Sequence, residues 1–554
     1  MPEWTPRADA INKRTETLGV RTLSMAGESS TGTEIELKLT AEPAVLEQLW
    51  QAPQLCGGQE TAPKTKDLEN VYYDTADLRL RKRGLAFRIR RDGERFIQTV
   101  KSGDAEAAGL FSRSEWEGPV PSLEPQPDIV DDPNIRAALG LILPGELRPV
   151  FTTRVHREVQ KVNGTDSLGR LKVIEAAFDR GQIEAAGTVQ PLAEIELELV
   201  EGSPRALFDL ALSLQDIAPT QLETRSKSTR GYALATGRRP AWHRAKPLAL
   251  KAEMKADDAL AAIFESCLLH WTANEAAALD GSDPEGVHQL RVGLRRFRSA
   301  LSVFSELLPP EHRSRLNEEA RWILGALGPA RDWDVFLADL LAPLELNREG
   351  DKDLAVLRKA VTERRAQAYK QVRHALSDPR YTRFILQLGG WLEDRAWHCA
   401  DLTPAQAVWL DQPLITLADK LLSKRHRKTL KLGRRFAHLS IEQRHRVRIG
   451  MKKLRYTTEF FRDLYPQKKA APYIKAMRSL QESLGHLNDV AVAETLLADL
   501  TSTQAGRRRP AGLEQAAGKV IGWYAHSVTQ FEPEMRATWK AFAKTKPFWH
   551  ETQR

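Results

Sequence analysis

The segment Glu34-Ile35-Glu36-Leu37-Lys38 places two carboxylates and an ammonium at alternate positions, with Ile35 and Leu37 between them. On an extended strand, side chains two apart share a face, so the three charges point one way and the apolar pair the other. The same alternation recurs in Arg88/Arg90, in Arg113/Glu115/Glu117 and in Glu194/Glu196/Glu198. A single strand of this kind is an ordinary solvated face of an antiparallel sheet. Four of them, carrying both signs, fit a barrel whose apolar faces point outward and whose charges fill the interior. Interior charges must be paired or must hold ions. Clustered carboxylates suit Mg²⁺ or Mn²⁺, and Arg with Lys suits phosphate oxygens. The combination points to a phosphate chain bridged by metal, where catalysis is positioning plus charge stabilisation.

A second pattern lies further on. His288, Arg291, Arg295 and Arg298 have the spacing that makes one continuous stripe on a helix. His445, Arg448, Lys452 and Arg455 repeat it 157 residues later, and Leu327-Gly328-Pro-Ala-Arg331-Asp332 returns at the same offset as Leu484-Gly485-His-Leu-Asn488-Asp489. Two matches at one offset indicate a duplicated helical bundle. If the copies face each other, the stripes form one basic surface for a polyanion. Zinc needs three or four convergent ligands, and one His per stripe among cations does not supply them. Asp332 and Asp489 are expected to fix helix ends or pair with Arg, and Trp271, Trp322, Trp333 and Trp391 to be core residues.

The elements that must position these groups follow from periodicity. Strand alternation runs through Thr33–Thr40, Ala86–Arg91, Phe96–Lys101, Ser112–Gly118, Val150–Val159, Val173–Phe178 and Ala193–Val200, with helices at 41–52 and 204–216. Short strands joined by turns suggest a closed antiparallel barrel. The polar segment 1–31 reads as a disordered leader, with Met25 a second candidate start, and 236–250, rich in Arg and Pro, reads as a linker. Strand signals vanish from about 251, and helical periodicity continues to the end, interrupted by a basic surface loop at 503–512. The domains are therefore 32–235 and 251–548, the latter in two repeats at about 251–400 and 405–548.

Charge divides the same way. Residues 1–240 hold 31 Lys and Arg against 36 Asp and Glu, whereas the remainder of the 554-residue chain holds 51 against 37. The second half faces an anion. No stretch approaches the roughly 20 apolar residues that span a membrane. Cys56, Cys267 and Cys399 lie too far apart for a disulfide framework or a Cys-x-x-Cys zinc site, which favours a reducing cytoplasm. Aromatics are only 7% of the chain, too few for the stacking platforms that single-stranded nucleic acid prefers.

The strand motifs occur together with Tyr72-Tyr73-Asp74-Thr75, Phe87-Arg88-Ile89-Arg90, Gln98-Thr99-Val100-Lys101, Asp179-Arg180-Gly181 and Ser226-Lys227-x-x-Arg230-Gly231-Tyr232. In that order they resemble the CYTH, or triphosphate tunnel metalloenzyme, superfamily. The resemblance implies an eight-stranded tunnel that binds a linear triphosphate with Mg²⁺ or Mn²⁺. Glu34 and Glu36 would hold metal, with Glu115, Glu117, Asp179, Glu194, Glu196 and Glu198 as further candidates. Lys38, Arg88, Arg90, Lys101, Arg113, Arg157 and Lys227 would grip phosphate, with Arg154 a weaker candidate. A second metal or a basic group such as Lys38 would activate water. Asp74 fits a turn cap better than a metal ligand. The helical half resembles the CHAD domain, which implies two four-helix bundles and a polyphosphate-binding surface, here His288, Arg291, Arg295, Arg298, His445, Arg448, Lys452 and Arg455. The second copy departs at Asn488 and Ala491, where the first has Arg331 and Asp334. A tunnel beside such a module looks like the bacterial inorganic triphosphatase arrangement, with adenylate cyclase, thiamine triphosphatase or pure polyphosphate binding as alternatives. It implies a cytoplasmic enzyme that cuts inorganic triphosphate and associates with polyphosphate granules.

Overall fold

The computed structural model describes residues 30–56, 63–102, 110–143, 145–398, 402–502 and 511–549. The expected leader lies outside the described residues as far as 29, and the expected loop at 503–512 does so as far as 510. The chain forms two compact units, Met1–Ala241 with Ser377–Ala400, and Trp242–Leu376 with Asp401–Arg554.

In the first unit eight long strands close into an antiparallel ring. They are β1 (Ser30–Thr40), β2 (Lys64–Asp74), β3 (Leu85–Asp92), β4 (Arg95–Ser102), β5 (Leu110–Val120), β6 (Arg148–Thr165), β7 (Leu171–Ala185) and β8 (Thr188–Glu201). The order is β5-β4-β3-β2-β6-β7-β8-β1, with a two-residue β9 (Gln221–Leu222) beyond β1. Closure rests on β1. Its residues Ser30–Leu37 pair with β5 while Glu36–Thr40 pair with β8. β2 is the strand that periodicity missed, because Lys64–Asp67 is exposed on both faces and Asn70 puts a polar group on the inner one.

The apolar set packs outside the ring, as the alternation requires. Leu37 and Leu39 of β1 are fully buried, and helix Arg205–Ile217 covers β1, β7 and β8. On another side Phe87, Ile89, Val100 and Trp116 pack with Leu80, Val130 and Ile135 into a separate core cluster. On the inner face of the ring, with the same strand parity as Asn70, Arg157, Asp179 and Glu194, Tyr72, Phe151, Val155, Ile183 and Leu192 form a further apolar cluster with Tyr232 of helix Lys227–Thr236. That helix sits so close to the barrel that a Cβ on Gly231 would lie 2.1 Å from a ring carbon of Phe151. Only glycine allows this approach, which fixes where Lys227 enters the ring.

The helical repeat was expected to run unbroken to about 400, but helix Pro379–Glu393 belongs to the first unit and packs on helix Arg205–Ile217. Asp394 at its end accepts hydrogen bonds from Arg205 (2.7 Å) and Arg170 (3.2 Å). Its apolar positions are helical in period, which reveals a helix but not the surface that the helix covers.

The second unit contains two sets of four long helices, Ala256–Thr272, Pro284–Val303, Pro310–Val335 and Lys352–Ser377, then Leu414–Leu432, Ile441–Phe461, Gln467–Thr501 and Leu513–Lys544. The two helices that carry the stripes, Pro284–Val303 and Ile441–Phe461, pack on each other. Trp271 and Trp333 are buried there and Trp391 in the first unit, whereas Trp322 is half-buried.

Candidate functional site

The ring encloses a cavity lined by eight carboxylates and six cationic side chains among the described residues. β1 contributes Glu34, Glu36 and Lys38; β3, Arg88 and Arg90; β4, Lys101; and β5, Glu115 and Glu117. Arg157 comes from β6, Glu175 and Asp179 from β7, Glu196 and Glu198 from β8, and Lys227 from the helix behind. Within each strand these residues are an even number of positions apart, so strand pleat alone decides which side chains face in.

The same parity excludes Arg154. It lies three residues before Arg157, hence on the opposite face, where its half-exposed guanidinium pairs with Glu69 (3.0 Å) and Glu184 outside the barrel. Glu194 is buried behind the cavity, held by Lys227 and by Arg230 at 2.8 Å. The side chain of Arg113 lies outside the described residues. Asp74 caps a turn, accepting from the backbone N–H groups of Thr75, Leu80 and Arg81 and from the Tyr232 hydroxyl. Sequence reasoning overlooked Glu175, although its spacing of four from Asp179 puts it on the inner face, and Asn70, which has no charged neighbour in the sequence pattern.

The interior is a network of alternating charge. Arg157 grips Asp179 through two hydrogen bonds of 2.7 and 2.6 Å and also reaches Glu196. Lys227 bridges Asp179 (2.7 Å), Glu194 and Glu196 (2.9 Å). Lys38 lies between Glu36 (2.9 Å) and Glu196, while Lys101 pairs with Glu34 and with Glu115 at 3.2 Å. Arg88 and Arg90 are held more loosely, 3.6 to 3.7 Å from Glu115 and Glu117, and their buried Nε groups make no hydrogen bond among the described residues.

Burial and pairing compete at each group. Burial would lift the Glu34 carboxyl, but Lys101 and Lys38 overcome it and hold it at about 2. Burial would strip Lys38 of its proton, yet Glu196 and Glu36 keep its ammonium above the usual lysine range. At Asp179 and Glu196 the carboxyls, which burial alone would raise, are pulled down by Arg157 and Lys227, with Lys38 also acting on Glu196. The Glu115 carboxyl stays raised by burial despite Lys101, and burial with the neighbouring Arg88 lowers the Arg90 guanidinium.

A hard divalent cation fits this donor set. Carboxylate oxygens of Asp179, Glu194 and Glu196 lie within 4.8 Å of one another. The described lining carries two more carboxylates than cations, an excess that would repel a polyphosphate unless offset by a bound cation.

In the second unit the stripes meet. Arg295 acts electrostatically on Lys452 and Arg448 of the other copy, and Asp332 feels Asp489. Arg291 is buried and donates to the Leu324 carbonyl at 3.0 Å; Arg298 and Arg455 are held by the amides of Asn317 (2.9 Å) and Gln481 (3.3 Å). Burial and Arg331 lower His288 to about 4, so it is neutral at pH 7 and adds no charge to the stripe. Burial with Arg448 and Arg295 lowers Lys452 to about 7. His445 is exposed.

A CYTH domain model matches residues 32–232 and a CHAD domain model matches residues 262–498. The chain is 32% identical over 209 residues to the inorganic triphosphatase of Haemophilus influenzae, an alignment covering 37% of this chain and 55% of that protein. It is 27% identical over 420 residues to an uncharacterized Mycobacterium tuberculosis protein, covering 71% of this chain and 75% of that one. The crystal structure of the CHAD domain from the plant Ricinus communis is 32% identical, with 55% of this chain and 98% of that chain aligned at a TM-score of 0.48. The chain thus carries a CYTH domain, which is the barrel, and a CHAD domain, which spans most of the duplicated helical region.

Proposed function

We propose that the barrel hydrolyses inorganic triphosphate to pyrophosphate and phosphate with a divalent cation, and that the helical unit binds inorganic polyphosphate. The observation that carries the reading is the lining itself, in which each described Lys or Arg is poised on a carboxylate. A linear triphosphate presents oxygens that compete for the same cations. On entry, Arg88, Arg90, Lys101, Arg157 and Lys227 exchange carboxylate for phosphate, starting with the loosely held Arg88 and Arg90. Glu34, Glu36, Glu196 and Glu198 would hold the cation, with Glu115, Glu117, Asp179 and Glu194 in support. Bound there, Mg²⁺ or Mn²⁺ supplies charge neutralisation of the phosphoryl oxygens and polarisation of water.

The chain's own residues orient the phosphate chain and offset the charge that develops as a phosphoanhydride bond breaks. Lys38, kept protonated by Glu36 and Glu196, serves as a cation and not as the proton acceptor. Aromatic packing favours an inorganic substrate over one bearing a base. Tyr73 donates to the Leu123 carbonyl and Phe87 is fully buried, which leaves Tyr72, itself stacked on Phe151 with centroids 4.3 Å apart, as the one aromatic on the described lining. The sequence similarity to the Haemophilus influenzae inorganic triphosphatase supports the same substrate.

The test is phosphate release from inorganic triphosphate, ATP and thiamine triphosphate with Mg²⁺, Mn²⁺ or EDTA. Metal-dependent release chiefly from inorganic triphosphate is expected; release from none of them, or release unaffected by EDTA, would overturn the reading.

A further inference from the structure

The two copies of the helical repeat differ in one place that neither the tunnel nor the stripe accounts for. In the second copy a cavity of about 180 Å³ opens between helices Leu414–Leu432 and Ile441–Phe461. Arg425, Lys428, Arg446 and Lys453 line it together with the apolar side chains of Leu432 and Ile449 and the bare backbone of Gly450. The stripe residues His445, Arg448 and Lys452 each precede a lining residue by one position, about 100° away around the helix.

The offset of 157 identifies the matching positions in the first copy as Leu268, Trp271, Gln289 and Arg296. There the space is filled. Trp271 is fully buried, and a Cβ on Gly293 would lie 2.8 Å from its Cβ and backbone nitrogen. Gln289 is spent on His270 and Glu285, and Arg296 donates to Ser266. In the second copy Lys428 replaces the indole, and the nearest atom to a Cβ on Gly450 is a flexible end of Leu432 at 3.0 Å. One large apolar side chain has been exchanged for a cation, which leaves a hole with a charged rim.

The rim is suited to an anion of several charges. No carboxylate lines the cavity among the described residues, and Lys428 and Lys453 make no ion pair among them. Arg425 is fixed by Ser302, and the Thr429 hydroxyl donates to the Arg425 carbonyl at 2.9 Å. Neighbouring cations crowd the site: Arg425, Lys428 and Arg298 all act on the half-buried Lys453. The floor asks for something else. Ile449 is 42% exposed and, with Leu432 and the Gly450 backbone, offers an apolar surface that a phosphate chain alone cannot use.

We infer that this cavity is a binding site for a nucleoside polyphosphate, with its phosphates on Arg425, Lys428, Arg446 and Lys453 and its base on Leu432, Ile449 and Gly450. Because the floor carries no polar group free to read a base edge, the site discriminates little between bases. The inference is independent of the substrate assigned to the barrel.

The probe is azido-ATP, photolysed on the full-length protein and followed by peptide mapping, with equilibrium binding of ATP, GTP and inorganic triphosphate alongside. Labelling is expected on peptides containing Leu432 or Ile449, with similar ATP and GTP affinities and weaker inorganic triphosphate binding at that site. Lys428→Glu with Arg446→Glu removes two exposed cations and should reduce labelling and ATP affinity about tenfold or more, leaving triphosphate hydrolysis unchanged. Ile449→Ser should weaken ATP while leaving inorganic triphosphate binding unaltered. Label confined to the barrel strands or to helix Pro284–Val303, or labelling unaffected by the double variant, would overturn the site. Inorganic triphosphate matching ATP there would overturn the nucleoside assignment.

Discussion

Arg154 and Arg157 are three residues apart on one strand, and strand parity assigns them opposite fates. Arg157 holds the fully buried Asp179 through two hydrogen bonds of 2.7 and 2.6 Å and reaches Glu196 as well. Breaking a buried pair by removing one partner costs about 3–5 kcal/mol. Lys227 remains 2.7 Å from Asp179 and keeps part of its charge compensated, which places Arg157→Ala near the lower end, about 3 kcal/mol. At roughly 2–4 °C per kcal/mol for a unit of this size, the melting temperature should fall by roughly 6–12 °C. If the guanidinium also grips a phosphate oxygen in the transition state, kcat/KM should fall roughly 10²–10³-fold. Arg154→Ala removes only surface pairs, worth about 0.2–1 kcal/mol, and should leave turnover nearly unchanged. The assay is phosphate release from inorganic triphosphate combined with thermal unfolding of both variants. Arg157→Lys serves as a control that keeps the charge and loses the two-pronged contact, so it should fall between wild type and Arg157→Ala. Equal losses from Arg154→Ala and Arg157→Ala, in either measurement, would refute the inward placement of Arg157 and with it the parity argument for the whole lining.

Three further outcomes are expected. Glu34→Gln with Glu36→Gln should abolish metal-dependent turnover while circular dichroism stays native; retained activity would remove both from the metal site. Charge reversal at Arg295 and Lys452 should weaken long-chain polyphosphate binding and spare triphosphate hydrolysis, and unchanged polyphosphate affinity would dismiss the stripe as its site. Lys452 sits at about 7 in the free protein because burial and its neighbours Arg448 and Arg295 oppose its charge. A bound polyanion favours the charged form, so binding takes up a proton and affinity should fall as pH rises through that value. Titrations on either side of neutrality would show this dependence, and Lys452→Arg should flatten it.

The barrel was legible because its charges alternate. Glu34, Glu36 and Lys38 must share a face on any strand, and Leu37 and Leu39 must then find cover on the other. The helical stripes were legible for a similar reason, since local spacing alone sets which residues share a helix face. Arg154 shows the limit: both it and Arg157 lie within one predicted strand, and choosing between them requires knowing which face turns inward. Glu175 was missed because it stands alone, where Glu194, Glu196 and Glu198 announce themselves as a run. Helix Pro379–Glu393 is helical in period, but periodicity says nothing about its partner surface, here helix Arg205–Ile217.

The amino-acid sequence by itself determined the two-part organisation, the duplication and the residue types that line the barrel. These follow from periodicity, charge and repetition, which act over a few residues at a time. The tertiary structure decided which charges are paired, that burial lowers His288 to about 4, that Lys38 sits between Glu36 and Glu196, and that the second repeat is hollow where the first is full. Each of these depends on burial and on neighbours distant in sequence. A pKa or a cavity is the balance of desolvation and packing summed over all elements around a site, and no local pattern contains that sum.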